Sequence, residues 1–199
     1  MKNILIDCGS NIGWAIKFYP TLYSFENWDY VCIEPNPYCV NVLKEKFSTN
    51  PNIKILPMAV SSCKKTCNFI FSSRLSEGGT INPYKIEKNA ESVSVETITI
   101  DELLELSIGY DKKFIKIDIE GEEFDLMEQM IREEKYKYFS KIVCEFHSDY
   151  MKEINFYPRQ YKIVEFFQKN NYLIKQISKN QYLFEDNTMT SIQNTIQSH

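Results

Sequence analysis

The chain has 199 residues, of which 43% are hydrophobic and 14% aromatic, and its formal net charge is -4. This composition is that of a folded globule, and the length suits a single domain over residues 1–199. The acidic balance disfavours non-specific nucleic-acid binding, which needs a basic face. The sequence contains neither a signal peptide nor a membrane-spanning run, and its six cysteines are scattered, so we expect a cytoplasmic protein with reduced thiols and no membrane partner.

The hydrophobic pattern alternates between short β-rich runs and segments with helical spacing. Strands are predicted, in chain order, at residues 4–6, 30–33, 53–60, 68–71, 92–100, 114–119 and 141–146. The first helix is predicted to be interrupted at Pro20, the second to be capped by Asn36 and a short one by Asp101. Two final runs, 172–177 and 181–185, indicate an antiparallel pair, and residues 187–199 a frayed tail.

This order of elements predicts an α/β fold with a mainly parallel sheet and helices on both faces. Such a sheet binds ligands beyond the carboxyl ends of its strands. The residues that follow each strand are therefore the candidate site residues.

The first predicted strand ends in the run Asp7-Cys-Gly-Ser-Asn-Ile-Gly13. Its glycines allow a tight turn and a close backbone approach, and the following helix N-terminus is expected to offer free amides. Asn11 stands in the middle of a G-x-N-x-G run, which differs from the G-x-G-x-x-G pattern of dinucleotide enzymes. The acid before the first glycine repels a pyrophosphate but can accept from an ammonium group, such as that of S-adenosylmethionine.

The second predicted strand ends in Glu34-Pro35-Asn36. An acid at this place can accept from both ribose hydroxyls of a nucleoside cofactor. Together with the acidic glycine-rich turn, Glu34 favours an adenosine site.

The fourth main strand carries Lys116, Asp118 and Glu120 on one side if it continues that far. Ionised groups in a central strand are costly unless they serve a site or pair with each other, and we interpret Lys116 as the partner of a carboxylate. The acids that follow are attributed to the dipole of the next helix: Glu122, Glu123 and Asp125.

The fifth main strand ends in Glu145-Phe-His147. A neutral imidazole at this place could accept a proton from a hydroxyl, with Glu145 on the same side and a carboxylate fixing the tautomer. Asp118, Glu120, Glu145 and His147 could instead hold a divalent cation, although no metal is expected to be required.

Six pieces of the chain together resemble the FkbM-type family of S-adenosylmethionine-dependent methyltransferases. In the family's order they are Asp7–Gly13, Glu34–Pro37, Asn52–Ser61, Val95–Asp101, Lys116–Glu122 and Glu145–His147. The resemblance covers residues 3–147 and implies a seven-stranded Rossmann-like methyltransferase fold with an antiparallel C-terminal strand. It also implies methyl transfer to a hydroxyl of a sugar, glycan or small metabolite.

The resemblance implies roles for single residues as well. It implies a cofactor-binding set of Asp7, Gly9, Ser10, Asn11, Gly13, Glu34, Pro35, Asn36, Ala59, Val60 and Asp118. It places Glu120 and His147 at the acceptor, with Asp118 and Glu145 as further catalytic candidates. The loops 72–89 and 148–158 are expected to choose the acceptor, through Arg74, Tyr84, Tyr150 and Arg159.

Two other readings of the sequence stay open. An NAD(P)-dependent oxidoreductase would also use Glu34, but the chain lacks the second glycine of the phosphate turn. A non-catalytic module could bind the cofactor or a partner through the same fold. An oligomer is compatible with each reading.

Overall fold

The computed structural model describes residues 2–23, 28–75, 78–82, 90–149 and 156–187. The strands are β1 (Asn3–Cys8), β2 (Trp28–Ile33), β3 (Ile53–Leu56), β4 (Ala59–Val60), β5 (Thr66–Phe71), β6 (Glu91–Ile98), β7 (Lys112–Ile117), β8 (Lys141–Glu145), β9 (Tyr172–Gln176) and β10 (Gln181–Asp186). The α-helices are α1 (Trp14–Tyr23), α2 (Pro37–Phe47), α3 (Ile100–Leu106), α4 (Glu123–Arg132) and α5 (Tyr157–Lys169), and a 3-10 helix spans Lys135–Tyr138. Apart from Asn187, the predicted tail lies outside the described residues.

One seven-stranded sheet has the order β3-β2-β1-β7-β8-β10-β9. Its strands from β3 to β8 pair in parallel, whereas β10 is antiparallel to both of its neighbours. This confirms the predicted fold. Because β1 pairs with both β2 and β7, Cys8 stands level with Ile33 and Ile117, and three carboxyl ends meet at one edge of the sheet.

The hydrophobic core lies on both faces of this sheet. Alternate residues of β1 belong to different clusters, Ile6 to one with α4 and α5, and Leu5 to one with Ala15 and Tyr19 of α1. A strand that is covered on both faces reads as a continuous apolar run, which is why β1 and β7 are recognisable in the sequence. The burial of both faces confirms the predicted layers.

Two prolines act differently from the sequence prediction. The prediction that Pro20 interrupts the first helix is wrong, since α1 continues to Tyr23. Proline has no backbone N–H, and α1 tolerates the loss of that one hydrogen bond. The predicted strand 53–60 is also wrong as a single element, because it divides at Pro57. Its second part, β4, leaves the main sheet and pairs with β6, which in turn pairs with β5 to form a separate three-stranded sheet.

The cap of α3 also differs from the prediction. The N-cap residue is Thr99 rather than Asp101, which lies inside the helix. Thr99 and Glu102 form a capping box, in which the Glu102 carboxylate accepts from the Thr99 amide at 2.9 Å. The Thr99 hydroxyl, two positions earlier than the predicted cap, accepts from the Glu102 amide at 3.4 Å.

The cysteines are free thiols, and four of them are buried: Cys8, Cys32, Cys39 and Cys144. Burial raises the pKa of Cys32 to about 12, which leaves it an unreactive core residue. Separately, within the ranges given above, no helix combines the length and the apolar character that a membrane crossing requires.

Candidate functional site

A cavity of about 580 Å³ lies beyond the carboxyl ends of β1, β2, β7 and β8. This is the edge of the sheet where the sequence analysis expects a ligand. Most of the predicted site residues line the cavity: Gly9, Ser10, Asn11, Glu34, Pro35, Ala59, Val60, Asp118, Glu120, Glu145 and His147.

Three predicted cofactor residues do not line this cavity, and each has another structural role. Asp7 is 1% exposed and lies 3.3 Å from the ammonium of Lys116. Gly13 has a positive φ of 90°, and a Cβ there would stand 2.7 Å from the ring of Phe47. Asn36 caps α2, since its side chain accepts from the Tyr38 amide at 3.0 Å.

The amides of the turn after β1 all have acceptors within the protein, whereas the prediction of free amides concerns the N-terminus of the helix that follows. The amides of Gly9 and Ser10 both donate to the Ile33 carbonyl at 3.0 Å. The Asn11 amide donates to Glu34 Oε2, and the next amide donates to the Asn11 side chain, both at 2.8 Å. The Gly13 amide donates to the Ser10 carbonyl at 2.8 Å. Every amide from 9 to 13 therefore has an acceptor within the protein.

Glu34 closes this turn against the start of α2. Its two carboxylate oxygens accept from the amides of Asn11 and Asn36, each at 2.8 Å. Burial raises the pKa of Glu34 to about 7, against the opposing effect of these two amides, and the nearby carboxylate of Asp7 adds to the increase. Each oxygen keeps a second lone pair that a hydroxyl on the cavity side could use.

Lys116 is the partner of two carboxylates, as the sequence analysis predicts. Its ammonium lies 3.3 Å from Asp7 Oδ1 and 3.1 Å from Asp118 Oδ2, and it donates to the Gly9 carbonyl at 3.1 Å. Burial opposes the charge of Lys116, but Asp118 and Asp7 outweigh it and raise the pKa above its ordinary value. Lys116 thus holds the ends of β1 and β7 together under the cavity.

His147 is oriented by Glu123, a residue that the sequence analysis attributes to the helix dipole. Glu123 is fully buried, and its Oε1 accepts from the His147 amide at 2.8 Å and lies 3.2 Å from His147 Nδ1. Its Oε2 accepts from the Gly121 amide at 2.7 Å. Attributing Glu123 to the dipole alone is therefore wrong. The carboxylate beside His147 Nδ1 is that of Glu123, whereas Glu145 accepts from the Gln181 side chain at 3.1 Å.

The cavity side of His147 faces two carboxylates. Its Nε2 lies 3.5 Å from Glu120 Oε1 and 3.7 Å from Asp118 Oδ1. Burial lowers the pKa of His147, but Glu123, Glu120 and Asp118 together raise it to about 9. The raised pKa favours the imidazolium in the free protein, and His147 would have to lose that proton before it could accept one.

An unusual turn brings Glu120 to this position. The strand β7 ends at Ile117, earlier than predicted, and Glu120 has a positive φ of 56°. Such a conformation costs a non-glycine residue about 1 kcal/mol or more and needs support. The Thr80 hydroxyl donates to the Glu120 carbonyl at 2.7 Å, and the Asn82 side chain donates to the Gly121 carbonyl at 3.2 Å.

A further wall of the cavity was not predicted residue by residue, although the loop 72–89, which was expected to choose the acceptor, contains part of it. This wall includes Trp14, Met58, Phe69, Gly78, Gly79, Thr80 and Ile81. A Cβ at Gly79 would stand 2.3 Å from the ring of Phe69, so the glycine pair in the loop is the one local signal for a close approach. Trp14 comes from the start of α1, whereas Phe69 belongs to the small sheet.

The residues expected to choose the acceptor are mostly elsewhere. The Arg74 guanidinium lies over the Tyr38 ring at 5.2 Å, and Arg159 pairs with Glu128 at 2.7 Å and with Asp125 at 2.5 Å. Neither arginine lines the cavity. Tyr84 and Tyr150 lie outside the described residues. Of the predicted acceptor loops, the segment 78–81 does line the cavity.

Comparisons with known proteins agree with this fold. A family model described as "Methyltransferase FkbM domain" matches residues 7–174. The crystal structure of the methyltransferase FkbM from Methylobacillus flagellatus KT has a TM-score of 0.57 at 16% identity, covering 93% of this chain and 44% of that chain. The crystal structure of the N-terminal domain of human METTL16 in complex with SAH has a TM-score of 0.42 at 13% identity. The match covers 93% of this chain and 62% of that chain.

A third solved structure, the Methanococcus jannaschii fibrillarin pre-rRNA processing protein, has a TM-score of 0.47 at 9% identity, covering 92% of this chain and 65% of that chain. The first of these likenesses shows a shared methyltransferase fold. The chain spans less than two thirds of the length of each of these structures, and only 44% of the first. No curated protein matches the sequence.

Proposed function

The chain belongs to the FkbM methyltransferase domain family, and from that premise we propose that it transfers a methyl group from S-adenosylmethionine to a hydroxyl of a sugar, glycan or other small metabolite. The observation that carries the choice of cofactor is the turn after β1. Its amides from 9 to 13 all have internal acceptors, and the Glu34 carboxylate caps the Asn11 amide. A pyrophosphate needs free amides and no carboxylate at that place, so an NAD(P) cofactor is disfavoured.

The residues of the cavity fit S-adenosylmethionine in three places. Glu34 would accept from the ribose hydroxyls with its remaining lone pairs. Ala59 and Val60 are buried cavity residues that would contact the adenine, and Phe69 adds an aromatic surface there. Asp118 would accept from the ammonium of the amino-acid end through Oδ2, the oxygen that also contacts Lys116.

When bound, this cofactor supplies an electrophilic methyl group on a sulfonium, and it leaves as a neutral thioether. The chain then has to hold the acceptor oxygen in line with the sulfur–carbon bond and to take up the hydroxyl proton as the new oxygen–carbon bond forms. Glu120, Glu145 and His147 line the cavity together, and we assign to Glu120, to Glu145 or to His147 in its neutral form the uptake of this proton.

The acceptor side carries carboxylates, and this supports a neutral polyhydroxyl acceptor over a nucleic acid. Asp118, Glu120 and Glu145 would repel a phosphate backbone. The buried free thiols support action in the cytoplasm, where thiols stay reduced.

Calorimetry tests the cofactor directly. We expect S-adenosylmethionine and S-adenosylhomocysteine to bind the chain with a one-to-one stoichiometry, and NAD not to bind. The control is the Glu34→Gln variant, which keeps the shape of the side chain but removes its charge. Binding of NAD without binding of either sulfur compound would contradict the proposal.

A second test separates the enzyme from a non-catalytic module of the same fold. The enzyme is expected to transfer a labelled methyl group from S-adenosylmethionine to one member of a panel of monosaccharides, nucleotide sugars and polyols. Cofactor binding with no transfer to any panel member or to a small-molecule extract would favour the module.

Cofactor affinity is expected to rise with pH through about 7, where Glu34 ionises. The ionised carboxylate is the better acceptor for ribose hydroxyls, so binding below this pH must expel a proton. Between about pH 6 and pH 8 the affinity for S-adenosylhomocysteine should increase by roughly tenfold. Asp7 and Lys116 are the charged groups nearest to Glu34, and they are retained in Glu34→Gln. That variant should show a flat profile over the same range, and an equal slope in both proteins would exclude Glu34 as the source.

A further inference from the structure

We propose that Asp118, Glu120 and His147 hold a divalent cation that binds the acceptor oxygen. This inference deepens the proposed function and rests on it. The three residues come from two strand ends, β7 and β8, and all three line the cavity. We call them the cation group.

The spacing of the cation group suits one ion. One ligand atom from each residue lies within 4.8 Å of the other two. His147 Nε2 is 3.5 Å from Glu120 Oε1 and 3.7 Å from Asp118 Oδ1. Adjacent ligands on an ion stand about 3 Å apart when each bond is about 2.1 Å. Small side-chain rotations therefore suffice to close the three atoms around an ion.

His147 has the supporting carboxylate that a histidine metal ligand requires. His147 is 5% exposed but lines the cavity, and fully buried Glu123 lies 3.2 Å from its Nδ1. With the ring proton on Nδ1 and donated to Glu123, the Nε2 lone pair points at the cation group. Histidine ligands in metal sites almost always donate their other nitrogen to a carboxylate or carbonyl in this way.

The charges around the group also favour a cation. Asp118, Glu120, Glu123 and Glu145 contribute four carboxyl groups, against Lys116 and His147 as the basic partners. The Lys116 ammonium lies 3.1 Å from Asp118 Oδ2, whereas Asp118 Oδ1 faces His147. Carboxylates within a partly buried site are costly unless a positive charge offsets them.

The ligand chemistry indicates which ion to use. Two carboxylate oxygens with one imidazole suit a first-row ion such as Mn²⁺, whereas Ca²⁺ and Mg²⁺ favour oxygen ligands throughout. Three protein ligands leave positions on the ion for water and for one or two oxygens of a polyhydroxyl acceptor. A hydroxyl held there loses its proton more readily.

With the cation group occupied, Glu145 is the cavity carboxylate left to receive that proton. The acceptor oxygen–hydrogen bond breaks, the proton passes to Glu145, and the oxygen takes the methyl group as the carbon–sulfur bond breaks. The electron pair of that bond stays on the sulfur. Glu145 lines the same cavity as the three ligand residues, which places it within reach of an acceptor held there.

The test is Mn²⁺ titration of the chelator-treated full chain, followed by electron paramagnetic resonance. Bound Mn²⁺ should lose the six-line signal of the free ion and show electron spin-echo modulation from one ¹⁴N ligand. Asp118→Asn, Glu120→Gln and His147→Gln should each weaken the affinity by about tenfold or more. Glu145→Gln, from the same cavity, should keep the affinity within about threefold yet lower turnover.

The outcomes separate this inference from the proposed function. Absence of Mn²⁺ binding to the unmodified chain, or the same ¹⁴N modulation in His147→Gln, overturns the cation site. The ¹⁴N modulation is read on the unmodified chain, so it does not depend on whether a variant folds. Calorimetry with S-adenosylhomocysteine on the unmodified chain, without added Mn²⁺, tests the methyltransferase proposal independently of the ion.

Discussion

Methyl transfer by the His147→Ala variant is expected to fall by about a hundredfold or more, while its affinity for S-adenosylhomocysteine stays within about threefold. His147 lies beside Glu120 and Asp118, in the part of the cavity that we propose for the acceptor. Its removal therefore affects the handling of the acceptor proton, whether the imidazole receives it or holds a cation. The measurement pairs single-turnover transfer of a labelled methyl group with calorimetry of the cofactor product.

A structural role of His147 has to be separated from a chemical one. Alanine leaves the buried carboxylate of Glu123 without the ring nitrogen at 3.2 Å, and losing one partner of a buried charged pair costs about 1–3 kcal/mol of stability. The matched control is His147→Asn, whose amide can donate to Glu123 but offers no basic nitrogen. Recovery of stability without recovery of turnover supports the chemical role. Recovery of both stability and turnover would show that His147 acts only by pairing with Glu123.

The second large effect is expected from Gly9→Ala, which should destabilise the fold and abolish measurable cofactor binding. A Cβ at Gly9 would stand 1.9 Å from the Asp118 carbonyl oxygen, in a backbone conformation with a positive φ of 81°. The strained φ costs about 1 kcal/mol or more, and forcing the ends of β1 and β7 apart adds about 1–3 kcal/mol. The same displacement moves Asp118, so the cavity loses its shape.

Gly109→Ala is the control for backbone strain alone. Gly109 has nearly the same φ, 82°, but its Cβ would have no heavy atom within 4 Å. Urea unfolding should place the Gly9 variant about 1–3 kcal/mol below the Gly109 variant, and this difference measures the close approach of the two strands. Equal losses in the two variants would show that the contact with Asp118 is relieved without cost.

The parts of the fold that the sequence predicts are those with strong local signals. The buried strands β1 and β7 are continuous apolar runs because helices cover both faces of the sheet. The division of the predicted third strand at Pro57 was missed, since the apolar residues continue on both sides of it. A proline within an apolar run signals a strand end but does not indicate which sheet the next residues join.

The acidic residues at the start of α4 show the limit of local reasoning. The helix dipole is a sufficient reason for Glu123 in the sequence, and nothing nearby separates it from Asp125. In the structure Glu123 is fully buried beneath the loop after β8, whereas the side chain of Asp125 is 55% exposed. That difference comes from how two distant segments pack. Burial of this kind has no signature in the spacing of the residues.

The hydrogen bonds of Thr80 and Asn82 to the turn at Glu120 and Gly121 have a consequence for evolution and for engineering. The segment with Thr80 and Asn82 borders the space that we propose for the acceptor. Its hydrogen bonds also support the turn that carries the Glu120 carboxylate on the opposite side of that space. Exchanging this segment between relatives to change the acceptor would move the acid as well, unless the two bracing side chains are carried over. If the proposed function holds, acceptor choice and reactivity would be inherited as a unit.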